Sequence, residues 1–285
     1  MRAAPTEGVL YIVATPIGNL DDLSPRAVST LARADIVAAE DTRHSGRLLQ
    51  HLGLQKKMVA IHDHNERDRS AGLIDQLAAG AQIALISDAG TPLISDPGYV
   101  LVREARQRGI RVSPVPGPCA FVAALSAAGL PTDRFLFEGF LPARRGPRRA
   151  ALDVLKRETA TLIFYESPHR ILETMAAIAE VMGPERPVVL ARELTKTFET
   201  FYSGQAVRVC EQLAEDAYGA KGEFVVMVEG ASARAEAHEG LDVDRFLVLL
   251  MEELPVKKVA KIGAELTGLS RNELYQRALG LKGEG

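Results

Sequence analysis

The sequence is poor in cysteine, with two in 285 residues. Cys119 and Cys210 lie far apart and form no C-x-x-C motif, so their pattern favours neither a zinc site nor a disulfide framework. We expect each to be a small, buried, apolar residue. Long hydrophobic runs are also missing, since the apolar stretch CAFVAALSAAGL spans only residues 119–130. That stretch is too short to cross a bilayer.

We expect no secretion signal, and the sequence has no excess of positive charge. Its first eight residues, MRAAPTEG, contain no apolar segment, so we expect a cytoplasmic protein that does not contact a membrane. The 34 Lys and Arg face 37 Asp and Glu, for a net charge of −3. This excludes a uniformly basic nucleic-acid binder, and a polyanionic partner would need local basic patches.

A glycine-rich phosphate-binding loop is missing too. The first predicted strand is followed by ATPIGN at residues 14–19, which lacks both G-x-G-x-x-G and the Gly-Lys-Ser/Thr of a P-loop. The sequence therefore supports neither an ordinary dinucleotide-binding fold nor a nucleoside triphosphatase. It also disfavours a nicotinamide-dependent oxidoreductase.

What the sequence does contain is a repeated alternation of short apolar runs and helical patterns. Five alternations in residues 1–130 predict a doubly wound α/β domain, with a parallel sheet and helices on both faces. In residues 131–230 the strands lie closer together, and several lack an intervening helix, which predicts a second α/β domain with a mixed sheet. The fold class is therefore α/β with two such domains.

The end of the chain is predicted to be helical. Residues 231–240 are small and polar without periodicity, which is typical of a linker. Residues 241–285 contain only helical patterns, and a tight GLS turn between two of them resembles a helix-turn-helix. Ser270 is a candidate N-cap, with Glu273 completing a capping box. The positive charge of this segment suits a nucleic-acid contact and equally a solvated helix face.

Ligands of open α/β sheets bind beyond the carboxyl ends of the strands. Four loops occupy that position, at residues 14–19, 39–46, 84–98 and 114–121. The third, ALISDAGTPLISDPG, is long for a connection between a strand and a helix, and it carries Asp88 and Asp96. Two carboxylates suit a ligand with hydroxyl groups and positive charge and would repel a phosphate. The alternative is that both acids only form turns or cap the next helix.

The second loop, AEDTRHSG, carries Glu40, Asp41 and Arg43 at the predicted end of a strand. We expect these side chains to contact a ligand. The alternative is a charge cluster at the start of a helix, because Asp41 stands where an N-cap would stand.

Eight blocks, read in order along the chain, resemble the ribosomal RNA small-subunit methyltransferase I family of the tetrapyrrole methylase superfamily. They are LYIVATPIGNLDDLSPRA, AEDTRHSGRLL, HDHNE, LISDAGTPLISDPG, PVPGPCAFVAALSAAGLPTDRF, FYESPHR, ARELTKTFE and KGEFV. The resemblance implies two α/β domains, S-adenosylmethionine in the cleft between them, and a homodimer. It also implies 2′-O-methylation of a cytidine ribose in the decoding region of 16S rRNA, within the small ribosomal subunit.

The resemblance also implies a set of cofactor-binding residues. They are Pro16, Ser87, Asp88, Ala89, Thr91, Ile94, Pro118, Cys119, Tyr165 and Leu194.

Methyl transfer to a hydroxyl needs a group that takes its proton. Glu40, His62 and Glu166 are the predicted catalytic residues, with Asp41, Asp63, His64 and His169 as further candidates. The spacing of His62 and His64 is open to a metal interpretation, but no further Cys and His set accompanies it, and we expect no metal.

Arginines and lysines form two local basic patches. Residues 143–157 carry six Lys or Arg and one Asp, in a segment predicted to be a mobile loop. Arginine suits phosphate, so we expect these groups to hold RNA, with a solvated charged loop as the alternative. The predicted RNA-binding residues are Arg43, Arg144, Arg145, Arg148, Arg149, Lys257 and Lys258.

Two other functions remain open at this point. A small-molecule methylase of the same superfamily would act on a tetrapyrrole-like acid, which the basic patches fit less well. A non-catalytic RNA-binding module would use the cofactor only as a structural ligand, and turnover would exclude it.

Overall fold

A computed structural model describes residues 7–62, 65–232, 243–267 and 269–283. Ten strands form two five-stranded sheets, with order β3-β2-β4-β1-β5 in the first and β6-β7-β10-β8-β9 in the second. The strands are β1 Val9–Val13, β2 Ile36–Ala39, β3 Lys57–Ala60, β4 Gln82–Ile86, β5 Arg111–Val115, β6 Phe135–Phe140, β7 Thr161–Glu166, β8 Pro187–Arg192, β9 Thr200–Gln205 and β10 Phe224–Val228. The described helices are α1 Pro25–Arg33, α2 Thr42–His51, α3 Glu66–Ala78, α4 Tyr99–Gln107, α5 Ala120–Ala128, α6 Arg145–Leu155, α7 Ile171–Met182, α8 Ala206–Glu215, α9 Val243–Glu253, α10 Val256–Thr267 and α11 Arg271–Gly283.

The first sheet is parallel throughout and is covered on both faces. Alternate residues of a strand point to opposite faces, so Ile83 and Leu85 of β4 pack under α3 and α4, whereas Ala84 and Ile86 pack under α1 and α2. Both sets are fully apolar, which is why the parallel strands read as continuous hydrophobic runs. The predicted doubly wound sheet is confirmed.

The second sheet is mixed, as predicted. β6 and β7 are parallel, whereas β10 is antiparallel to both β7 and β8, and β9 is antiparallel to β8. The apolar faces of α6, α7 and α8 pack on one side of this sheet around Phe164 and Val226.

Helix α5 covers the other side of the second sheet. Ala124 and Leu125 of this helix pack against Ile163 of β7 and Met227 of β10. The chain therefore leaves the first sheet at the end of β5 and crosses to the second sheet before residue 130. By its packing α5 goes with the second unit, while the expected division into 1–130 and 131–230 remains a proposal.

The three C-terminal helices pack around their own small core, which includes Leu247, Val259 and Leu274. The Ser270 hydroxyl accepts the N–H of Glu273 at 3.1 Å, so the predicted N-cap is present. Arg277 and Asp244 join α11 to α9 through a two-pronged ion pair. Most of the predicted linker 231–240 lies outside the described residues. No described helix combines the length and the apolar character that crossing a membrane requires.

Candidate active site

The four strand-end loops singled out in the sequence are bonded to one another. The N–H of Thr15 donates to the carbonyl of Gly90 at 2.8 Å, and that of Gly90 donates back at 3.1 Å. The N–H of Asp41 donates to Asp88 Oδ1 at 3.2 Å. The hydroxyl of Thr91 donates to the carbonyl of Pro118 at 2.9 Å. The loop after β4 is thus the hub that holds the other three in place.

The hub loop, residues 87–98, has an unusual backbone. Leu93 and Ser95 adopt φ angles of 71° and 67°, in the left-handed region that side chains disfavour. Gly90 has φ of 79°, and a Cβ there would lie 3.2 Å from Ile17, so glycine suits this position. Such strained conformations persist only where surrounding contacts hold them, and they often occur at ligand sites.

One of those contacts is made by Glu66, which lies in α3. Its Oε1 accepts the N–H of Gly98 at 3.0 Å and that of Val100 at 2.7 Å, at the start of α4. Gly98 is the N-cap of α4 and has no side chain of its own to perform this role. The buried carboxylate of Glu66 therefore fixes the far end of the hub loop, and neither Asp88 nor Asp96 caps α4.

The hub loop forms one wall of a cavity of about 400 Å³ between the two sheets. Such a volume suits a ligand of cofactor size. The predicted cofactor residues that line it are Asp88, Ala89, Thr91, Ile94, Cys119, Tyr165 and Leu194. The sequence did not predict ligand contacts for other lining residues, among them Ile17, Phe140, Ala191, Glu223 and Val225.

The remaining predicted cofactor residues lie close by. Pro16 and Ser87 line a smaller cavity of about 190 Å³, which shares Asp88 with the larger one. Pro118 is not among the described lining residues, but its carbonyl accepts the Thr91 hydroxyl and so supports the wall.

Carboxylates dominate the electrostatics of the larger cavity. Burial, together with the negative charges of Glu40 and Asp88, raises the pKa of Asp96 to about 6, although Ser87 partly offsets this by hydrogen bonding. No cation is among the causes acting on Asp96. A positively charged ligand would relieve this repulsion, and the sulfonium and ammonium of S-adenosylmethionine fit that requirement.

The opposite wall is aromatic. The N–H of Phe121, at the start of α5, donates to the Tyr165 hydroxyl at 3.3 Å. Burial raises the pKa of Tyr165, so this hydroxyl stays neutral at physiological pH. Phe140 meets the Tyr165 ring edge to face at 5.8 Å and is 56 % exposed, which leaves an aromatic surface beside the cavity. Apolar rings of this kind suit the adenine part of the same cofactor.

A loop of the second unit closes one side of the cavity. Lys196 donates to Glu193 Oε1 and to Glu223 Oε2, both at 2.8 Å. A Cβ added to Gly18 of the first loop would lie 2.4 Å from Cγ of Lys196, so the two loops touch with no room for a side chain. A side chain at position 18 would therefore force Lys196 or the neighbouring backbone of Leu194 to shift.

Comparisons with known proteins agree with this arrangement. A family model described as Tetrapyrrole (Corrin/Porphyrin) Methylases matches residues 9–210, and one described as RsmI C-terminal HTH domain matches residues 237–282. Ribosomal RNA small subunit methyltransferase I of Pseudomonas aeruginosa is 55% identical over 97% of this chain and 99% of its own length. The protein of that name from Escherichia coli O157:H7 is 52% identical over 98% of this chain and 97% of its own length.

The chain belongs to the ribosomal RNA small subunit methyltransferase I family. Solved structures agree on the fold. A uroporphyrin-III-C-methyltransferase from Thermus thermophilus has a TM-score of 0.55 at 23% identity, and it covers 78% of this chain and 94% of its own. The methyltransferase CobJ has a TM-score of 0.58 at 19% identity, and the match covers 79% of this chain and 95% of the CobJ chain. Both the tetrapyrrole methylase fold and the resemblance inferred from the sequence are confirmed.

Within this family member, the three predicted catalytic residues have different surroundings. Glu166 is buried, and its carboxylate accepts the Ser167 N–H at 2.8 Å and the Thr174 hydroxyl at 2.7 Å, with Arg170 3.2 Å away. These partners bond to both oxygens of Glu166, which also lines the larger cavity, and its role as a proton acceptor stays a prediction.

His62 and Glu40 differ from Glu166. His62 is exposed, and its ring lies 2.9 Å from the amide nitrogen of Asn65. It is not among the residues that line either cavity. The negative charge of Glu40 raises the pKa of Asp96, so Glu40 adds to the negative charge that Asp88 and Asp96 place at the cavity wall.

The other acids and histidines of the prediction add little to the site. Asp41 caps α2 by accepting the N–H of Arg43 at 2.8 Å, as the alternative interpretation of this loop expected. Asp63 and His64 lie outside the described residues. Among the residues that the structure describes, no group of three or more His, Cys, Asp or Glu could hold a metal ion.

The predicted arginine loop is a helix, and one of its arginines is misassigned. Arg148 is 1 % exposed, and its guanidinium donates to Glu173 at 2.7 Å, so it joins α6 to α7 and cannot contact a phosphate. Arg149 pairs with Glu180 of α7 at 2.5 Å. The prediction that Arg148 binds RNA is therefore wrong. The loop prediction fails because residues 145–155 form an amphipathic helix whose inner face includes Arg148.

The other predicted RNA-binding residues are accessible. Arg144 and Arg145 are exposed at the start of α6, and Lys257 and Lys258 are exposed in the first turn of α10. Arg43 is exposed with its Nε 3.5 Å from Asp41, a weak surface contact. Their role in RNA binding remains a prediction.

Proposed function

We propose that this protein uses S-adenosylmethionine to methylate the 2′-hydroxyl of a cytidine ribose in the decoding region of 16S rRNA. The observation that carries the proposal is the cavity with Asp88 and Asp96 on one wall and Tyr165 on the other, in a chain 55% identical to a ribosomal RNA small subunit methyltransferase I. A small-molecule methylase shares the fold, but fold alone does not set the substrate.

The chain's own residues would hold the cofactor from two sides. Asp96 and Asp88 face its positive charges, and Ile94, Leu194 and Tyr165 offer apolar surface to its adenine. Bound there, S-adenosylmethionine would supply an electrophilic methyl group for transfer to the ribose oxygen, with the neutral thioether as the leaving group. Most of the rate enhancement would come from alignment, because the hub loop is held rigidly by hydrogen bonds.

The ribose hydroxyl must lose its proton to a base. We propose Glu40 as the acceptor, because its charge acts on Asp96 of the cavity wall, whereas both oxygens of Glu166 already accept hydrogen bonds. Asp96, whose pKa is raised to about 6, would hold the cofactor rather than the nucleoside.

The proposal includes partners and location. The substrate is the small ribosomal subunit, met in the cytoplasm, and the protein acts as a homodimer. Arg144, Arg145, Lys257 and Lys258 would contact RNA phosphates, since exposed cations supply most of the affinity for a nucleic-acid backbone.

Methyl incorporation from labelled S-adenosylmethionine tests the proposal. The substrate is small subunits from a strain that lacks this modification, the enzymes are wild type, Asp88→Ala and the exposed control Asp68→Ala, and the labelled nucleotide is then mapped. We expect label on a single cytidine ribose with wild type and Asp68→Ala, and at least about a tenfold loss with Asp88→Ala. Label on a base, or none on the subunit despite cofactor binding, would overturn the proposal.

A further inference from the structure

The smaller cavity, of about 190 Å³, lies directly beside the candidate cofactor site. It is bounded on one side by Ser87 and Asp88 and on the other by helix α2. Asp88 also lines the larger cavity, so the two spaces meet at this residue. A group held in the smaller cavity is therefore next to whatever occupies the larger one.

The α2 side of this cavity is basic. His44, Arg47 and His51 line it, and their spacing of three and four residues places them along one face of the helix. All three are exposed, and none of their side chains makes a salt bridge or a hydrogen bond with any residue of the described ranges. Arg47 supplies a permanent positive charge here and forms no ion pair within the described ranges, although Asp88 lines the same cavity.

A second feature of the smaller cavity is a buried serine hydroxyl without a hydrogen-bond partner in the described residues. Ser45 also lines the cavity, is 2 % exposed, and its Oγ has no hydrogen-bond partner within the part of the chain that the structure describes. A buried hydroxyl without a partner costs free energy, so such groups normally bond to something. The Ser45 hydroxyl and the Arg47 guanidinium are both hydrogen-bond donors, so a ligand that offers acceptor oxygens would suit this cavity.

We propose that this cavity binds the backbone phosphate of the RNA nucleotide at the methylation site, which rests on the proposed function. An arginine fork and a hydroxyl donor match a phosphate in charge and geometry. Asp88 repels an anion, so the phosphate lies on the α2 side near Arg47. The attached ribose then extends past Asp88 towards the larger cavity, which brings the ribose hydroxyl to the methyl donor.

Two variants test the subsite against a matched control. Arg47→Gln removes the charge and Ser45→Ala the hydroxyl, whereas Arg106→Gln removes an exposed arginine of α4, on the opposite face of the first sheet. Binding of each to small subunits is measured as a function of salt, together with cofactor affinity and thermal stability.

We expect Arg47→Gln to weaken subunit binding about tenfold and to lower the slope of log K against log salt by about one. Ser45→Ala should also weaken binding while its thermal midpoint stays equal to or above that of wild type, because it removes an unsatisfied buried group. Cofactor affinity should not change in either.

The outcomes separate the two proposals. Wild-type enzyme that methylates subunits, with Arg47→Gln and Ser45→Ala both binding like Arg106→Gln, would refute the subsite and leave the function intact. A wild type that neither binds nor methylates subunits would refute the function itself. A loss of binding in Ser45→Ala that is matched by a loss of thermal stability would assign the residue to folding and overturn its role at the phosphate.

Discussion

The carboxylate of Glu66, in α3, accepts the N–H of Val100 at 2.7 Å and so caps a helix that begins 33 residues further along the chain. The bond ends the strained loop that lines the cofactor cavity. A side chain from a neighbouring helix thus performs the task that Gly98, as the N-cap, cannot.

Removing this cap should loosen the loop and weaken the fold. Glu66→Ala is expected to lower the free energy of unfolding by about 2 kcal/mol, because buried N–H groups lose a charged acceptor. Cofactor affinity should fall with it, as measured by calorimetry beside chemical denaturation. Glu66→Gln, which keeps one acceptor oxygen, should lose less, and the exposed Asp68→Ala should match wild type. Equal cofactor affinity in Glu66→Ala and wild type would show that the cap does not order the loop.

The raised pKa of Asp96 predicts how cofactor binding depends on pH. A cationic ligand favours the ionised carboxylate, so affinity should fall as pH drops below about 6 in wild type. In Asp96→Asn the affinity should be lower at pH 7.5 and should change little between pH 5 and 7.5. Titration calorimetry at several pH values measures both, and parallel pH profiles would rule out Asp96 as the titrating group.

The same shift has a consequence for stability without the ligand. Folding raises the pKa of Asp96 above its ordinary value of 3.8, so the ionised group destabilises the fold at pH values above about 6. Asp96→Asn should therefore melt about 2 °C higher than wild type at pH 7.5. The difference should shrink as the pH falls towards 4, where both side chains are neutral. A melting point of the variant below that of wild type at pH 7.5 would show that the ionised Asp96 does not destabilise the fold.

The two ends of the arginine segment should respond differently to mutation. Arg148→Gln removes a buried guanidinium that pairs with the exposed Glu173 and is expected to lower the melting temperature by about 5 °C. Arg145→Gln removes an exposed charge, so it should leave the melting temperature unchanged and reduce the salt dependence of RNA binding by about one unit of slope. Thermal scans and filter binding separate the two effects. An unchanged melting temperature in Arg148→Gln would overturn its structural role.

The contact between Gly18 and Lys196 predicts a steric effect at the edge of the cavity. Gly18→Ala should displace the loop that contains Leu194, cost about 1 kcal/mol of stability, and weaken cofactor binding. Gly72→Ala is the control, because a Cβ there meets nothing within 4 Å and the residue lies in α3. It should stabilise the protein by about 0.5–1 kcal/mol and leave the cofactor affinity unchanged. Identical behaviour of the two variants would mean that the loops do not need this close approach.

The sequence carried enough information to find the loops of the site, but not to assign each charge within it. Asp88, Thr91 and Gly90 follow a continuous apolar strand, and residues after parallel strands meet at one edge, so their convergence was predictable. The role of Glu66 was not, because its partners are N–H groups more than thirty residues away. The same holds for Arg148, since only the packing of α6 on α7 brings Glu173 to it.

Helix α5 shows a different limit. Its apolar sequence fits a helix on either sheet, and the alternation of strands and helices favoured the first. What decides between them is the second sheet's own apolar face, including Ile163 and Met227, which α5 covers. Arg47 and Ser45 also escaped notice, because one is an ordinary surface charge in the sequence and the other an ordinary serine.

The crossing of the chain from β5 to α5 limits how the cleft can move. Only residues 116–119 connect the two elements, and four residues span at most about 14 Å even when fully extended. On this side the connection limits how far the end of β5 and the start of α5 can separate. Cys119 lies in it and also lines the cavity. A ligand bound in the cavity would therefore contact the same short connection that limits the separation of the two sheets.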